Sequence, residues 1–533
     1  MICPVISITF LIKDRRILPK GPQRQRTTDA TDSYKNTGQR VRPASTSNPF
    51  IHIRPETIVF LPNMAIQFTS WGAARQVTGS MHLLRFSDGF TVLVDCGLVM
   101  GARTQDPLFG FEPATIDLVI LTHAHMDHSG RLPELVREGY KGEILCTEPT
   151  LELSALLLRD SAHLQAKRMA SDQHGRGKGR KKGEQAFKKL AHRLEQDAEH
   201  CLRSFHALRI NKTYRIRENL RLRFIPCSHL LGAVSVYLEI EDSGRTTRFG
   251  FSGDLGRFGY PGLPDPAPFP EVDYLICEST YGGIQHKETR PAADVVLGMI
   301  RDALGQEGGK LIVPAFSVGR TQAFLMILHQ LFEKGLLPEE VPVFVDSPMA
   351  ILSTEVYRNM EDWLSQEARN MIKMYGDVFS FERLRFVQNM GQSRKIASDY
   401  RPSILVSASG MLDGGRIHTH LKEQLQNPKA CILFIGYLAE GSLGRQLADG
   451  ASHVTVDGRT VMVRAKLCYT DIFSGHADHR GLMDFATKTS KDVLKQIFLV
   501  HGEPDRMEDL AQDLRNQGYR VELPLRGQVF ELD

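Results

Sequence analysis

Long apolar runs are missing from this chain of 533 residues. The nearest to one at the start, Val5 to Ile12, has eight residues, whereas a membrane-spanning helix needs about twenty. No membrane segment is expected. The opening Met-Ile-Cys-Pro also lacks the basic region and small-residue cleavage site of a secretory leader. Cysteine is sparse, with eight residues at positions 3, 96, 146, 201, 227, 277, 431 and 468 and no close pair. That scatter excludes a disulfide framework and a Cys-x-x-Cys zinc knuckle, and it suits reduced, buried thiols in a cytoplasmic protein. A strong charge of one sign is lacking too. The formal charge is +4, but residues 1–63 hold ten Lys/Arg against four Asp/Glu, leaving 56 basic against 58 acidic residues in the other 470. With no global positive field, a polyanion must be met by local basic patches.

What remains is the composition of a folded protein of two or three domains, 42% hydrophobic and 24% charged. Residues 1–63 differ. From Pro19 to Pro55 they are polar and without apolar periodicity, and they read as a disordered basic extension. Met64 opens the first strand-like segment, Ala65 to Ser70. Translation beginning at Met64 is one reading of that boundary; a tail that holds nucleic acid is the other. Over 64–283, buried runs end on polar residues or glycine: Thr91 to Asp95, Leu118 to Thr122, Leu222 to Cys227, Arg248 to Gly253 and Tyr274 to Glu278. Residues 150–205 read as helical, interrupted at 174–183 by HGRGKGRKKG, a solvated loop or an RNA-facing patch. Over 284–462, strands such as Leu311 to Ala315, Pro342 to Asp346, Ile404 to Ala408 and Cys431 to Gly436 alternate with helices, as in a parallel sheet. Polar strand ends return over 463–533. The chain leaves one domain, builds a second and comes back.

The strongest chemical signal is HAHMDH at 123–128, directly after the apolar run Leu118 to Leu121. Imidazole and carboxylate are the usual ligands of borderline cations such as Zn²⁺. The spacing lets His123 and His125 face one ion while Asp127 and His128 face another. Two ions need more ligands, and His229 and Asp254 also follow buried strands. Together with HAHMDH they read as a third ligand and a bridging carboxylate. Asp95 is a candidate acceptor that orients a ligating histidine, or else a turn cap.

HxHxDH, preceded by Asp95 and followed by His229 and Asp254, resembles the metallo-β-lactamase fold. Further on come EST (278–280), PAFSVGRTQ (314–322), DSPMA (346–350), SGMLDGGR (409–416), GYLAEGSLGR (436–445), FSGHADH (473–479) and LVHGE (499–503). In this order and spacing, over about 64–533, they resemble the β-CASP branch of that superfamily, the nucleic-acid-processing nucleases. The resemblance implies an α/β fold, an αββα sandwich with an inserted β-CASP domain, a parallel sheet flanked by helices. It implies two zinc ions per chain, one held by His123, His125 and His229, the other by Asp127, His128 and His501, with Asp254 bridging. Mn²⁺ in place of zinc is left open. Glu278 and His476 match an acid that hydrogen-bonds a histidine. A histidine at His501 matches the branch that cuts RNA. The activity implied is hydrolysis of RNA phosphodiesters by a hydroxide between the two metals. Asp254, Asp127, Glu278 and His476 take part, and 5′-phosphate and 3′-hydroxyl ends result. Here Glu278 raises the His476 imidazole pKa so that it can protonate the departing 3′-oxygen.

Weaker signals lie in the insertion. Ser409, Gly410 and Arg416 follow a strand and form either a phosphate cradle or a tight turn at a helix start. Arg320 and Arg445 are backbone contacts for the substrate or structural ion pairs. His286, His418 and His420 lack the strand-end setting of ligands. Gly283 and Ile284 depart from the polar or acidic residue and arginine usual after ESTYG in the family, and 171–200 carries the basic tract instead of an aromatic, acidic segment. No KH domain is expected before the core and no extra domain after Asp533. The partner expected is single-stranded RNA, with a homodimer left open. The competing readings are a hydrolase of small esters or thioesters on the same fold and a catalytically silent RNA-binding subunit. Neither the ester hydrolase nor a silent subunit accounts for every motif: the first leaves the insertion, Glu278 and His476 without a task, and the second would not retain all seven ligand candidates. Endonuclease and 5′-exonuclease action share these motifs.

Overall fold

Two seven-stranded sheets are built from the first and last parts of the chain. The computed structural model describes residues 65–99, 109–173, 180–242, 244–305, 309–338, 340–436, 438 and 441–533. The expectations for 1–63 and for 174–179 of the basic tract lie outside these residues. Residue 180 onward is helical rather than a loop, because Arg180–Leu202 starts within the tract and packs along Glu148–Gln173.

The first sheet runs Val529–Leu532, Ile66–Gly72, Met81–Arg85, Thr91–Val94, Leu118–Ile120, Glu143–Cys146, Phe205–Ala207. The second runs Val521–Glu522, Gln496–Val500, Tyr274–Glu278, Arg245–Phe251, Val234–Asp242, Leu220–Pro226, Thr213–Arg217. Each is parallel in one half and antiparallel in the other. Strands such as Thr91–Val94, Leu118–Ile120 and Tyr274–Glu278 are buried along their whole length. That is why they read as continuous apolar runs: both faces are covered. One face meets the other sheet, with Phe68 4.7 Å from Phe498 and Phe86 6.3 Å from Phe249 between ring centres. The outer face of the first sheet carries helix residues Leu132, Leu135, Leu158 and Ala198. Met507, Leu510 and Leu482 cover the second. The result is helix, sheet, sheet, helix.

Between Glu278 and Thr470 the chain builds a third sheet, all parallel: Leu384–Phe386, Val343–Asp346, Ser403–Ser407, Lys310–Pro314, Ala430–Phe434, Lys466–Tyr469. Alternate residues pack to opposite sides, Leu311, Val313, Ile404 and Val406 on one face and Ile312, Leu405 and Ile432 on the other. The return at 463 expected from sequence falls later, because Lys466–Tyr469 still pairs with Ala430–Phe434. Among the described residues no helix is long and apolar enough to cross a membrane.

Within this sheet Arg416 takes a role other than the phosphate contact expected of it. Its guanidinium donates to the Asp346 carboxylate and the Val387 carbonyl, both at 2.8 Å, and to the Gln388 carbonyl at 3.2 Å. Asp346 is fully buried and also meets His420 Nε2 at 2.7 Å. A buried carboxylate needs such partners, so Arg416 is a structural tie.

Two glycines let the strand-end loops of the first two sheets approach. A Cβ on Gly97 would lie 1.6 Å from the Asp127 carbonyl oxygen, and one on Gly256 2.2 Å from the Ser228 carbonyl carbon. These contacts seat the loops that carry Asp127, His128 and His229. Gly97→Ala is therefore expected to lower stability by about 3 kcal/mol, the upper end of ordinary overpacking, and to reduce bound metal. Thermal melts and elemental analysis of the variant check both.

Candidate metal centre

Parallel strands bring their carboxyl ends to one edge, and loops leaving that edge converge. Asp95 directly follows Thr91–Val94, His123 and His125 follow Leu118–Ile120, and His229 follows Leu220–Pro226. Asp254 follows Arg245–Phe251, Glu278 ends its strand, and His501 directly follows Gln496–Val500. Asp95 (φ 62°), Ser228 (φ 64°) and His501 (φ 53°) adopt the left-handed conformation, which turns the chain sharply out of the sheet. Such a residue costs on the order of 1–3 kcal/mol, and it persists where surrounding structure imposes it.

The turns assemble two adjoining groups of donors. In one, His125 Nδ1 lies 3.1 Å from His123 Nε2 and 3.0 Å from His229 Nε2. Asp254 Oδ2 is 3.5 Å from His123 Nε2 and 3.4 Å from His229 Nε2. In the other, His128 Nε2 and His501 Nε2 are 3.2 Å apart, and His501 Nε2 is 3.6 Å from Asp127 Oδ2. Asp254 Oδ1 is 3.1 Å from His128 Nε2 and 3.5 Å from His501 Nε2. Asp254 thus turns one oxygen to each group.

The outward nitrogens settle which tautomer each ring takes. His229 Nδ1 donates to the Gly475 carbonyl at 2.9 Å, and His128 Nδ1 donates to Asp95 at 2.7 Å. Thr122 gives its hydroxyl proton to Asp95 at 2.8 Å, so its oxygen accepts from His123 Nδ1 at 3.1 Å. Thr280 gives its proton to the His501 carbonyl at 3.1 Å and accepts from His501 Nδ1 at 3.0 Å. Four imidazoles therefore aim Nε2 lone pairs inward. Lone pairs 3.0–3.5 Å apart repel unless a cation lies among them. Ligand atoms about 2.0–2.1 Å from a tetrahedral ion lie roughly 3.3–3.4 Å from one another, which matches this spacing. The buried Asp254 Oδ1 also has no hydrogen-bond partner. The donor set fits a divalent metal.

Protonation agrees with that fit in the first group. Burial pulls His123 and His229 well below their ordinary pKa and His125 down to about 4, so these three are neutral ligands at pH 7. In the other, burial works against charge on His128, but the Asp254 and Asp95 carboxylates outweigh it and raise its pKa well above the ordinary value, so a bound cation would displace that proton. Burial alone would raise Asp254, but positive charge at the surrounding histidines, His128 foremost, outweighs it and keeps the carboxylate ionised.

Beside the donors, His476 Nδ1 meets Glu278 at 3.0 and 3.2 Å and its Nε2 lies 3.9 Å from Asp254 Oδ2. Glu278 is fixed by the Leu255 N–H at 2.6 Å and the Thr280 N–H at 3.2 Å. Burial works against charge on His476, but the Glu278 carboxylate outweighs it and raises the imidazole pKa, with Asp254 adding to the effect. Arg320 begins a helix of the inserted domain. Its Nε donates to the Phe473 carbonyl at 3.2 Å and its guanidinium lies over the Phe316 ring at 4.5 Å. Gly410 packs on that same ring, where a Cβ would sit 3.0 Å away, and the Ser409 hydroxyl accepts the Asp413 N–H at 3.0 Å. The other candidates lie elsewhere. Arg445 pairs with Asp449, His418 bridges Asp457 and the Leu412 carbonyl, and His420 serves Asp346. Sequence reasoning missed Thr122, Thr280 and the Gly475 carbonyl. Thr122 stands next to HAHMDH and Thr280 ends EST, but the acceptors of their hydroxyl protons, Asp95 and the His501 carbonyl, are distant in the chain.

Three family models match successive parts of the chain. These are the metallo-beta-lactamase superfamily over residues 74–275, the Beta-Casp domain over 321–447 and the Zn-dependent metallo-hydrolase RNA specificity domain over 460–524. The chain belongs to the β-CASP family of metallo-β-lactamase-fold proteins. It is 33% identical over 466 residues to Ribonuclease TTHA0252 of Thermus thermophilus, a match that covers 87% of this chain and 99% of that one. Transcription termination factor FttA of Methanosarcina mazei is 30% identical over 465 residues, 84% of this chain and 69% of that one. The RNase J-like protein of Methanocaldococcus jannaschii is 29% identical over 447 residues, 83% and 94% of the two chains.

Asp95 touches no metal-facing atom, yet it fixes His128 directly and His123 through Thr122. Removing such a support weakens metal binding about 10–100-fold. Asp95→Asn should show that loss in a chelator competition titration while retaining its thermal stability when saturated with metal.

Proposed function

We propose that this chain is a zinc-dependent ribonuclease that cuts single-stranded RNA with two metal ions, leaving 5′-phosphate and 3′-hydroxyl ends. The observation that carries this reading is Asp254, with one carboxylate oxygen turned to each donor group. His123, His125 and His229 would hold one ion, and Asp127, His128 and His501 the other. The imidazole-rich donor set favours zinc. Bound there, the ions supply positive charge against the phosphate oxygens and acidify water.

The chain's own residues do the rest. Asp254 and Asp127 hold negative charge between and beside the ion positions. Glu278, anchored by two backbone N–H groups, keeps His476 protonated and its Nε2 turned toward the centre. That Nε2 proton passes to the 3′-oxygen as the phosphodiester breaks, so the ribose leaves as a neutral hydroxyl and the phosphate stays on the 5′ side. Arg320 is tethered by a carbonyl and an aromatic ring and presents its cation beside His476, where a scissile phosphate would lie. Ser409 and Gly410 form the neighbouring wall. In this division 64–283 and the chain after Tyr469 carry the metals and the inserted segment between them covers the RNA. The RNA specificity domain model and the ribonuclease named among the relatives support the substrate. Cysteines that are all unpaired among the described residues support a cytoplasmic setting.

The test is incubation of the metal-analysed protein with a 5′-labelled single-stranded RNA and its DNA counterpart. RNA-selective products with 3′-hydroxyls, about two zinc ions per chain and no cleavage by Asp254→Ala are expected. Bound zinc without RNA cleavage would sink the reading and favour a small-ester hydrolase or a silent subunit. His476→Ala should retain its metal while kcat falls about 10²–10⁴-fold, the usual share of a general acid. Because Glu278 raises the His476 pKa, the acid form persists into the neutral range and activity declines as pH rises through that pKa. Glu278→Gln should move this alkaline limb to lower pH, which a pH–rate profile reads directly.

A further inference from the structure

The chain crosses between the two-sheet body and the inserted sheet twice, and the crossings run side by side. The outward crossing leaves Glu278 and reaches the helix Ala292–Leu304; the return runs from Tyr469 to the helix His479–Ala486 and carries His476. A ladder of hydrogen bonds joins them. The Gly283 N–H donates to His479 Nδ1 at 2.9 Å, and the His479 N–H donates to the Ile284 carbonyl at 2.8 Å. The His286 N–H donates to Asp478 at 3.2 Å and the Lys287 N–H to Asp471 at 2.7 Å. The rung nearest the chemistry is a side chain: His286 Nε2 lies 3.0 Å from the carbonyl oxygen of His476 itself.

That contact has one possible sense. A carbonyl only accepts, so His286 carries its proton on Nε2. Its Nδ1 is buried without a hydrogen-bond partner, and burial lowers the ring's pKa, so the imidazole is neutral. Tyr281 packs against it, with ring centres 5.2 Å apart, and lies 6.1 Å from the ring of His476. The side chain is thus held by one hydrogen bond and one ring contact, with an Asp471 carboxylate oxygen 3.9 Å from Nδ1, and it spends its only N–H on the backbone of His476. Nothing in the proton transfer to the 3′-oxygen uses His286 directly.

We propose that His286 is a positioning residue for this reaction. By holding the His476 carbonyl against the outward crossing, it sets where His476 Nε2 meets the departing oxygen. This rests on the reading of His476 as the general acid. A misplacement of about 1 Å far from the reacting atoms costs about 100-fold in rate, so a single backbone anchor is enough to matter.

The experiment compares two RNAs of one sequence, one with ordinary 3′-oxygen linkages and one with a bridging 3′-sulfur at the cleaved bond. A thiolate leaves without needing a proton, so a defect in acid catalysis disappears on the sulfur substrate. His286→Phe keeps the ring and removes the N–H. On the oxygen substrate kcat should fall about 30-fold, within the range for a displaced acid. KM should stay within about threefold and metal content should not change. On the sulfur substrate the variant should match the unaltered protein. His286→Gln, whose amide N–H can reach the same carbonyl, should regain most of the lost rate. If His286→Phe does not fold, His286→Asn, too short to reach, makes the same comparison. An equal loss on both substrates, or none on either, overturns the proposal. His476→Ala is run alongside. If it too loses equally on both substrates, the reading of His476 as the acid has failed, and the result does not bear on His286 alone.

Discussion

One buried carboxylate organises this molecule. Asp254 is nearly inaccessible to solvent, carries its charge in a low-dielectric setting, and has an oxygen with no hydrogen-bond partner. An isolated carboxylate placed so would neutralise by taking up a proton. It keeps its charge only where positive charge meets both oxygens, and the imidazoles around them are oriented as ligands rather than as donors. The arrangement is tolerable only if cations complete it. Metal binding and folding of this edge are therefore coupled: without positive charge, the inward lone pairs and the Asp254 carboxylate would push the loops apart.

The sheets make that crowding possible. Both have a parallel half, and the parallel halves present their carboxyl ends to the same cleft. Four loops supply the donors, HAHMDH giving His123, His125, Asp127 and His128 and one loop each giving His229, Asp254 and His501, so most of the backbone here is ordinary. The exceptions are the sharp turns at Asp95 and His501, where a left-handed residue directly after the strand swings the side chain inward. Gly97 and Gly256 serve the same end from the other side by letting neighbouring backbones touch. At Asp95, Ser228 and His501 the strain falls beside the donors, as expected where geometry serves a ligand rather than packing.

How much of this is legible in the sequence depends on range. HAHMDH is legible because its four side chains sit on one turn, and His229, Asp254 and His501 because each follows a buried apolar run. The insertion is legible as strand–helix alternation, and family resemblance supplies the grouping of ligands that spacing alone leaves open. The supports are a different matter. Thr122 and Thr280 act through single hydroxyl protons whose destinations depend on partners far away in the chain, and Gly475 acts through a carbonyl that carries no residue identity. Arg416 reads as a phosphate contact because glycines surround it. Its burial beside Asp346, seventy positions away in the chain, is a property of the packed sheet. The insertion reads as ending at 462 for a similar reason: Lys466–Tyr469 is half exposed at the sheet edge, so its apolar signal is faint.

The position of His476 follows from the same topology. The candidate ligands sit on loops of the two-sheet body, one of them, His229, held through Nδ1 by the Gly475 carbonyl of the return crossing. His476 lies on the return crossing, beside Phe473, whose carbonyl holds Arg320 of the inserted domain. It faces Glu278, the last residue before the outward crossing. The group proposed to give the proton is thus placed where the two domains join, whereas the side chains suited to binding cations belong to one of them. A polynucleotide entering the cleft would press on both domains at once. Its fit would then be felt at His476 and, through the Gly475 carbonyl, at His229 as well, because the return crossing answers to both.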